Sequence, residues 1–153
     1  MSKPIKRSAA LKPLSHEHHH GLLLSWKIRE GFKKNVDIER IKRYTDWFWK
    51  QHLQAHFKFE EKYVFPILGQ ENELIIKALK EHNRLQQIFT ATDTIKKNLS
   101  LIEVELASHI RYEERVLFNE IQSIASEHQL EIIEQEYSKT TIDEWEDEFW
   151  ITK

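Results

Sequence analysis

Two stretches of this sequence repeat one pattern, and that pattern decides the fold. The first runs from His56 to Phe65 and reads HFKFEEKYVF, and the second runs from His109 to Phe118 and reads HIRYEERVLF. Each begins with a histidine and has two consecutive glutamates, the first of them four residues after that histidine. Residues four apart lie on one face of an α-helix, so each stretch predicts a helix that presents an imidazole and a carboxylate to one point. Two such helices facing each other would form a box of metal ligands.

The composition predicts one folded all-α domain. The chain has 153 residues, 40% of them hydrophobic and 31% charged, which is typical of a folded, soluble protein. The sequence has only three glycines and three prolines, which is few for the many tight turns of a β protein. The absence of a signal-peptide pattern or long apolar run predicts a cytoplasmic protein that does not enter a membrane. A net charge of −2 argues against a nucleic-acid partner, and the lack of cysteine restricts any metal to imidazole and carboxylate ligands.

Apolar residues recur with a helical period and predict four long helices joined by short connections, an up-down four-helix bundle. Cap and breaker residues give the expected limits. These limits are Ser15 to Glu30 with a stop at Gly31, Asp37 to Phe65 with a stop at Pro66, Glu71 or Asn72 to Lys97, and a fourth helix that opens at a capping box of Ser100 with Glu103.

The predicted organisation has three parts, an N-terminal arm, the bundle and an acidic C-terminal helical extension, which cover residues 1–14, 15–125 and 126–153. Two further capping boxes, Ser126 with Gln129 and Thr141 with Glu144, would start the short helices of the extension. We expect the extension to cover its tryptophans by folding over the bundle, by binding another protein or by forming a homodimer.

Each predicted helix carries a histidine on its otherwise apolar inward face. The candidate metal ligands are His18, His56, Glu60, His82, His109 and Glu113. Burial of two carboxylates and several imidazoles without a cation would cost several kcal/mol per charge, which favours a metal site over a purely structural network. Imidazole and carboxylate ligands suit iron, with manganese and zinc as alternatives.

Two choices among the histidines stay open at this point. On the first helix either His18 or His19 could be the ligand, and His18 is preferred because Glu17-His18 matches Glu81-His82. On the second helix His52 lies one turn before the first ligand, where it could bind metal or donate a hydrogen bond to a ligand. The remaining histidines are predicted to lie on the surface, namely His16, His20 and His128.

The sequence resembles the hemerythrin family, in particular the bacterial hemerythrin-like (HHE) cation-binding domains, over roughly residues 15–125. The residues that carry the resemblance are Glu17-His18-His19, His56 to Glu61, Glu81-His82 and His109 to Glu114. The resemblance implies a non-haem di-iron site inside a four-helix bundle, with Glu60 and Glu113 bridging two irons and the four histidines as terminal ligands. It further implies a small gaseous ligand, either dioxygen or nitric oxide, or a role in sensing iron.

The sequence departs from the family pattern at two positions. The oxygen carriers have a second histidine one turn before the third-helix ligand, where this chain has Ala78, and an aspartate where it has Glu114. A missing imidazole could be replaced by His19, His52, Glu61 or water, and Glu114 could also bind metal. Di-iron binding is therefore a stronger expectation than reversible oxygen carriage.

Other functions fit the sequence less well. The run from His16 to His20 contains the His-Glu-x-x-His pattern of zinc proteases, but those enzymes need a substrate cleft and strands. A ferritin-like site needs Glu-x-x-His on two helices, and only Glu17 with His20 has that spacing. The alternatives to a metal- and gas-binding protein are a helical adaptor without metal, which would use Trp145 and Trp150 as anchors, and a di-iron enzyme that acts on peroxide or nitric oxide.

Overall fold

The computed structural model describes residues 6–137 and 146–151. Within these ranges the chain forms helices and no strand, which confirms the all-α prediction. The helical stretches are α1 Lys12–Lys33, α2 38–64, α3 Glu73–Thr90, α4 95–124 and α5 Glu127–Tyr137. Among the helices so described, none is both long and apolar enough to cross a lipid bilayer.

The start of α1 is tied to α4 by the residues that precede it. The helix begins at Lys12, so the predicted start at Ser15 was wrong by one turn. Leu11 is fully buried, and the guanidinium of Arg7 donates a hydrogen bond to the side-chain oxygen of Asn119 at 3.2 Å. Burial of this segment makes the added turn favourable, which a local capping signal does not reveal.

The end of α1 differs from the expected stop at Gly31. The helix continues to Lys33, and Asn35 then adopts a left-handed conformation with φ of 55°. The N–H of Val36 donates to the carbonyl of Gly31 at 2.8 Å, and the N–H of Asn35 donates to the carbonyl of Phe32 at 3.1 Å. This pair of bonds is the Schellman arrangement, which satisfies the last carbonyls of a helix.

Helix α2 is not regular along its length. Asp37 caps it as predicted, because its carboxylate accepts the N–H of Glu39. It consists of the α-helical segments Ile38–Phe48 and Gln54–Phe59 and the π-helical segments Trp49–Leu53 and Glu60–Val64, and a 3₁₀ turn over Phe65–Ile67 follows. The helix therefore ends at Val64, two residues before the predicted stop at Pro66.

The first π turn explains an incorrect assignment on the inward face. A π turn closes its hydrogen bond over one more residue than an α turn, and the residues after it rotate about the helix axis. Leu53 is therefore buried and His52 only half-buried, although the α-helical period placed His52 on the inward line.

The connection between α3 and α4 lies earlier than predicted. Asn72 caps α3 as expected, but the helix ends at Thr90 instead of Lys97. Thr94 adopts a left-handed φ of 45°, and α4 begins directly after it. Ser100 is therefore exposed inside α4 and caps nothing, so the Ser100 capping box was wrong. Threonine and aspartate at 92–94 favour turns over helix interiors, which places the break there.

Helix α4 also contains a π turn, Glu113–Leu117, between its α-helical segments Ile95–Tyr112 and Phe118–Ile124. Two apolar residues of α4 are exposed, Val104 by 62% and Val116 by 42%. Val116 lies within the π turn, where the α-helical period fails.

The structure describes only part of the acidic C-terminal extension, residues 126–137 and 146–151. The Ser126 capping box is confirmed, since its N–H donates to the side-chain oxygen of Gln129 and its hydroxyl accepts the N–H of Gln129. Helix α5 follows and buries Ile133. The predicted Thr141 with Glu144 box and Trp145 lie outside the described residues. Residues 146–151, here called the C-terminal segment, fold back over α1 and α2, where Phe149 is 2% exposed.

Neighbouring helices run antiparallel. Near the start of α1, Ser15 contacts Glu114 of α4, and near its end Arg29 pairs with Glu103, which comes earlier in α4. The same reversal of order relates α1 to α2, α2 to α3 and α3 to α4. Two apolar clusters result, one around Phe48, Phe89 and Leu106 and the other around Val64, Ile75 and Phe118. The buried histidines and glutamates lie between them along every one of these four helices.

Candidate metal centre

The structure brings all six candidate metal ligands to one buried place. They come from all of the helices α1 to α4, and none is more than 5% exposed. They are His18, His56, Glu60, His82, His109 and Glu113. The helical period predicts their burial because each lies on the most buried line of its helix.

The six side chains form two groups that share the glutamates. The first group consists of His18, His56, Glu60 and Glu113, and the second group consists of His82, His109 and the same two glutamates. Within each group, one potential ligand atom from each residue lies within 4.8 Å of the others. This clustering provides two positions for a cation, side by side.

Each glutamate directs one oxygen to each group. Oε2 of Glu60 lies 3.3 Å from Nε2 of His56, and Oε1 lies 3.3 Å from Nε2 of His82. Oε1 of Glu113 lies 2.8 Å from Nε2 of His18, and Oε2 lies 3.3 Å from Nε2 of His109. A carboxylate with this orientation can bridge two cations.

The sequence repeat extends to the backbone. The second π turn of α2 begins at Glu60, and the π turn of α4 begins at Glu113. Single π turns within α-helices occur frequently at functional sites. The two halves of the centre are thus built by the same local structure, in which the glutamate is the first residue of the π turn and the histidine lies four residues before it.

A second set of carboxylates surrounds the histidines, and the ligand pattern alone did not predict it. Each outer glutamate approaches Nδ1 of one histidine, the ring nitrogen directed away from the centre. The pairs and their N···O distances are Glu17 with His56 (3.0 Å), Glu61 with His82 (2.8 Å), Glu81 with His109 (2.7 Å) and Glu114 with His18 (3.6 Å). An Nδ1–H that donates to a carboxylate leaves Nε2 with its lone pair toward the centre.

The outer glutamates had a signal in the sequence. Glu17 and Glu81 directly precede a candidate ligand, and Glu61 and Glu114 directly follow one. Adjacent residues on a helix point about 100° apart, so a neighbour of a ligand on one helix can reach the ligand of the next helix. Glu61 and Glu114, which the sequence left open as metal ligands, lie at Nδ1 atoms instead of within either group.

Burial and charge oppose each other at the centre. Burial disfavours the charged imidazole, but the carboxylates of Glu60 and Glu17 outweigh it and raise the pKa of His56 to about 9. The pKa values of His18, His82 and His109 are raised for the same reason. Burial also disfavours ionised Glu60 and Glu113, yet the surrounding imidazoles lower the pKa of both carboxyls. The carboxylates therefore stay ionised and need positive charge beside them.

Several buried atoms at the centre make no hydrogen bond among the residues that the structure describes. Toward the two groups they are both carboxylate oxygens of Glu60, Oε2 of Glu113, and Nε2 of His82 and His109, and on the outer side Nδ1 of His18 also makes none. Their mutual distances are those of ion pairs without hydrogen-bond geometry. An unsatisfied buried polar atom typically costs 1–3 kcal/mol. Cations at this place would satisfy the atoms of Glu60, Glu113, His82 and His109, so the residues present fit bound metal.

No family model matches the sequence, and no match was found among curated proteins or solved structures. The chemistry of the centre is therefore inferred from its own geometry.

The remaining histidines lie away from the two groups. His19 is exposed on α1, which separates it from His18, and the exposure of His16, His20 and His128 agrees with their predicted surface positions. The ring of His52 packs against Trp47 with centroids 4.8 Å apart and faces a cavity next to His56.

Two further features bear on the alternatives drawn from the sequence. Ala78 is fully buried in the apolar cluster around Phe118 and provides no ligand atom. Glu17 interacts with His56 of the next helix, while His16 and His20 are exposed, so the His-Glu-x-x-His run does not form a zinc-protease site.

The two groups differ in their surroundings. The ring of His82 stacks on Phe57 with centroids 3.7 Å apart, and Phe65 lies 5.3 Å away on centroids. Beside His18 and His56, in contrast, lies a cavity of about 400 Å³. A small molecule therefore has room beside the first group, while aromatic rings cover the second.

In the metal-free protein, stability is expected to fall as the pH rises from about 6.5 to 9. The folded state binds more protons than the unfolded state in this window, because the pKa of His56 is about 9 instead of 6.5. The stabilisation of the folded state by protonated His56 is fully present below pH 6.5 and is lost as the pH passes 9. Its contribution to the free energy of unfolding is on the order of 3 kcal/mol. Urea unfolding across this range measures it. A stability that rises over the same range would contradict the charge assignment, and His128→Ala serves as a control that leaves the profile unchanged.

Proposed function

We propose that this chain is a hemerythrin-like protein, an up-down four-helix bundle that holds two non-haem iron ions and binds or senses dioxygen, nitric oxide or iron. The observation that carries the proposal is the shared position of Glu60 and Glu113, each with one oxygen at each group of two histidine Nε2 atoms. The antiparallel order of α1 to α4 supports the bundle architecture.

The ligand set favours iron. Each position offers two imidazole nitrogens and two carboxylate oxygens, and no thiolate is available. Such mixed ligation suits iron, manganese or zinc. Iron at these positions would supply redox chemistry and coordination sites for a small gaseous ligand.

The residues of this chain would hold and tune such ions. Glu60 and Glu113 would bridge them, and the outer glutamates orient the imidazoles through Nδ1. Apolar rings, Phe57 on His82 and Phe118 on His18, keep water from one side of these ligands. Exclusion of water strengthens the electrostatic attraction between ligand and cation.

A sensing role is favoured over reversible carriage of oxygen. The oxygen carriers of the family have an additional histidine at the position of Ala78, which is here fully buried among apolar residues. The second group therefore has two imidazoles, those of His82 and His109, which is one fewer than the oxygen carriers have.

The proposal is tested by metal content and by the response to oxygen. We expect two iron ions per chain after anaerobic loading with ferrous iron and a visible absorption band on exposure to air. A band that persists after oxygen is removed supports sensing, and a band that disappears supports carriage. Consumption of peroxide or nitric oxide over many turnovers would identify an enzyme. Failure to retain iron, with an unchanged spectrum, would refute the proposal and favour an adaptor without metal.

Substitution of an outer glutamate is expected to weaken metal binding without removing a ligand. In Glu81→Gln, His109 loses its charged partner at Nδ1, and metal affinity should fall roughly 10- to 100-fold. Competition with a chelator measures the change. The matched control is Glu105→Gln, which removes a surface ion pair between the same two helices. Equal metal affinity in both variants would contradict the role of the outer carboxylates.

A further inference from the structure

The cavity beside the first group is larger than a diatomic ligand needs. Its volume is about 400 Å³, and it lies between α1, α2 and the C-terminal segment. The cavity is partly open to solvent, and an enclosed cavity of roughly 150 Å³ already holds benzene. Pockets of about 300–1,000 Å³ are typical of sites for small organic molecules. The size of this cavity is therefore that of a binding site.

Aromatic rings form much of the cavity wall. The rings of Tyr44 and Trp47 stack with centroids 5.9 Å apart, and Trp150 of the C-terminal segment lies 5.2 Å from Tyr44. The imidazole of His52 packs edge-on against Trp47 in the same wall. Offset and edge-to-face contacts with such rings favour an aromatic ligand over an aliphatic one of equal size.

The charges in the wall are already balanced. The ammonium of Lys27 lies 3.9 Å from the ring centroid of Trp150, donates to the hydroxyl of Tyr44 at 3.2 Å and is attracted by the carboxylate of Glu148. Glu17, at the inner end of the cavity, is held by His56. A charged ligand would add an unbalanced charge to this partly desolvated space, which is costly. The cavity therefore favours a neutral ligand.

We propose that this cavity binds a neutral molecule with one aromatic ring, of the phenol type. The ring would lie among Tyr44, Trp47 and Trp150, and the polar substituent would point toward His18 and His56 at the inner end. All of these walls belong to the protein, so the binding does not depend on the metal ions or on the function proposed above.

Calorimetric titration of the metal-stripped protein with phenol tests the inference. We expect saturable binding of one phenol per chain. Cyclohexanol, which has the same size but no aromatic ring, should bind about 2- to 10-fold more weakly. Benzoate should bind more weakly than phenol because it brings a carboxylate close to Glu17 at the inner end. Absence of saturable phenol binding, or equal affinity for phenol and cyclohexanol, would overturn the inference.

Matched tryptophan variants locate the site. Trp47→Ala should weaken phenol binding about tenfold, because one stacking surface is lost. Trp26→Ala should leave it unchanged, since Trp26 is 41% exposed and does not line the cavity. If Trp47→Ala does not fold, Leu53→Phe is the second variant. Leu53 lines the cavity, so the larger phenylalanine ring should occupy part of its volume and also weaken phenol binding. Equal loss in Trp26→Ala would overturn the assignment. Iron content of the loaded protein is measured separately, so failure here is distinguished from failure of the di-iron proposal.

Discussion

Replacement of Glu113 by alanine is expected to abolish binding of both metal ions and to lower the free energy of unfolding of the metal-free protein by about 3–5 kcal/mol. The side chain is fully buried, and its two oxygens face different groups, so its loss removes a ligand from both positions. Without metal, the same change leaves the imidazole of His109 without its buried counter-charge and takes one of two buried carboxylates from His18 and His82. Metal analysis and urea unfolding measure the two effects.

The controls for this prediction are histidines outside the centre. His16→Ala and His128→Ala should keep full metal content, because both side chains are exposed. His56→Ala should behave like Glu113→Ala in losing metal, since it removes an imidazole from the first group. If metal content were the same in all four variants, the centre would not be a metal site.

Replacement of Phe57 by alanine is expected to destabilise the fold by about 3–5 kcal/mol. Phe57 is 4% exposed, stacks on His82 at 3.7 Å between centroids and packs edge-on against Trp49 and His109. Its loss leaves a cavity at the covered side of the centre and removes the contact that fixes the ring plane of His82. Thermal or urea unfolding of the metal-free protein measures the cost.

A surface variant provides the comparison for Phe57. Val104→Ala should change stability by less than about 0.5 kcal/mol, because Val104 is 62% exposed on α4. Phe57→Leu should fall between the two, since it keeps most of the buried volume and loses the stacked ring. A loss in Phe57→Ala no larger than that in Val104→Ala would show that the ring does not support the centre.

The helical period was enough to predict which polar residues would meet. His56 with Glu60 and His109 with Glu113 are four apart on apolar faces, and burial of those faces brings the pairs to the interior. The choice of His18 over His19 followed from its match to Glu81-His82. Its burial, beside an exposed His19, agrees with that choice.

The period failed where the helices depart from α geometry. The π turn over Trp49–Leu53 displaced His52 from the inward face, and the π turn after Tyr112 left Val116 exposed. Local capping signals failed in a similar way at Ser15 and Ser100, where tertiary burial extended one helix and a left-handed Thr94 set the start of another. The helix limits therefore depend on contacts that are distant in sequence.

The amino-acid sequence by itself determined that the chain is helical and that histidine and glutamate share the buried faces, because both properties follow from spacing along a single helix. Only the tertiary structure decided that each carboxylate faces two groups, that the outer glutamates contact the imidazoles of neighbouring helices, and that aromatic rings line a cavity on one side. These features depend on the rotation and antiparallel register of helices against one another, which packing fixes and periodicity does not encode.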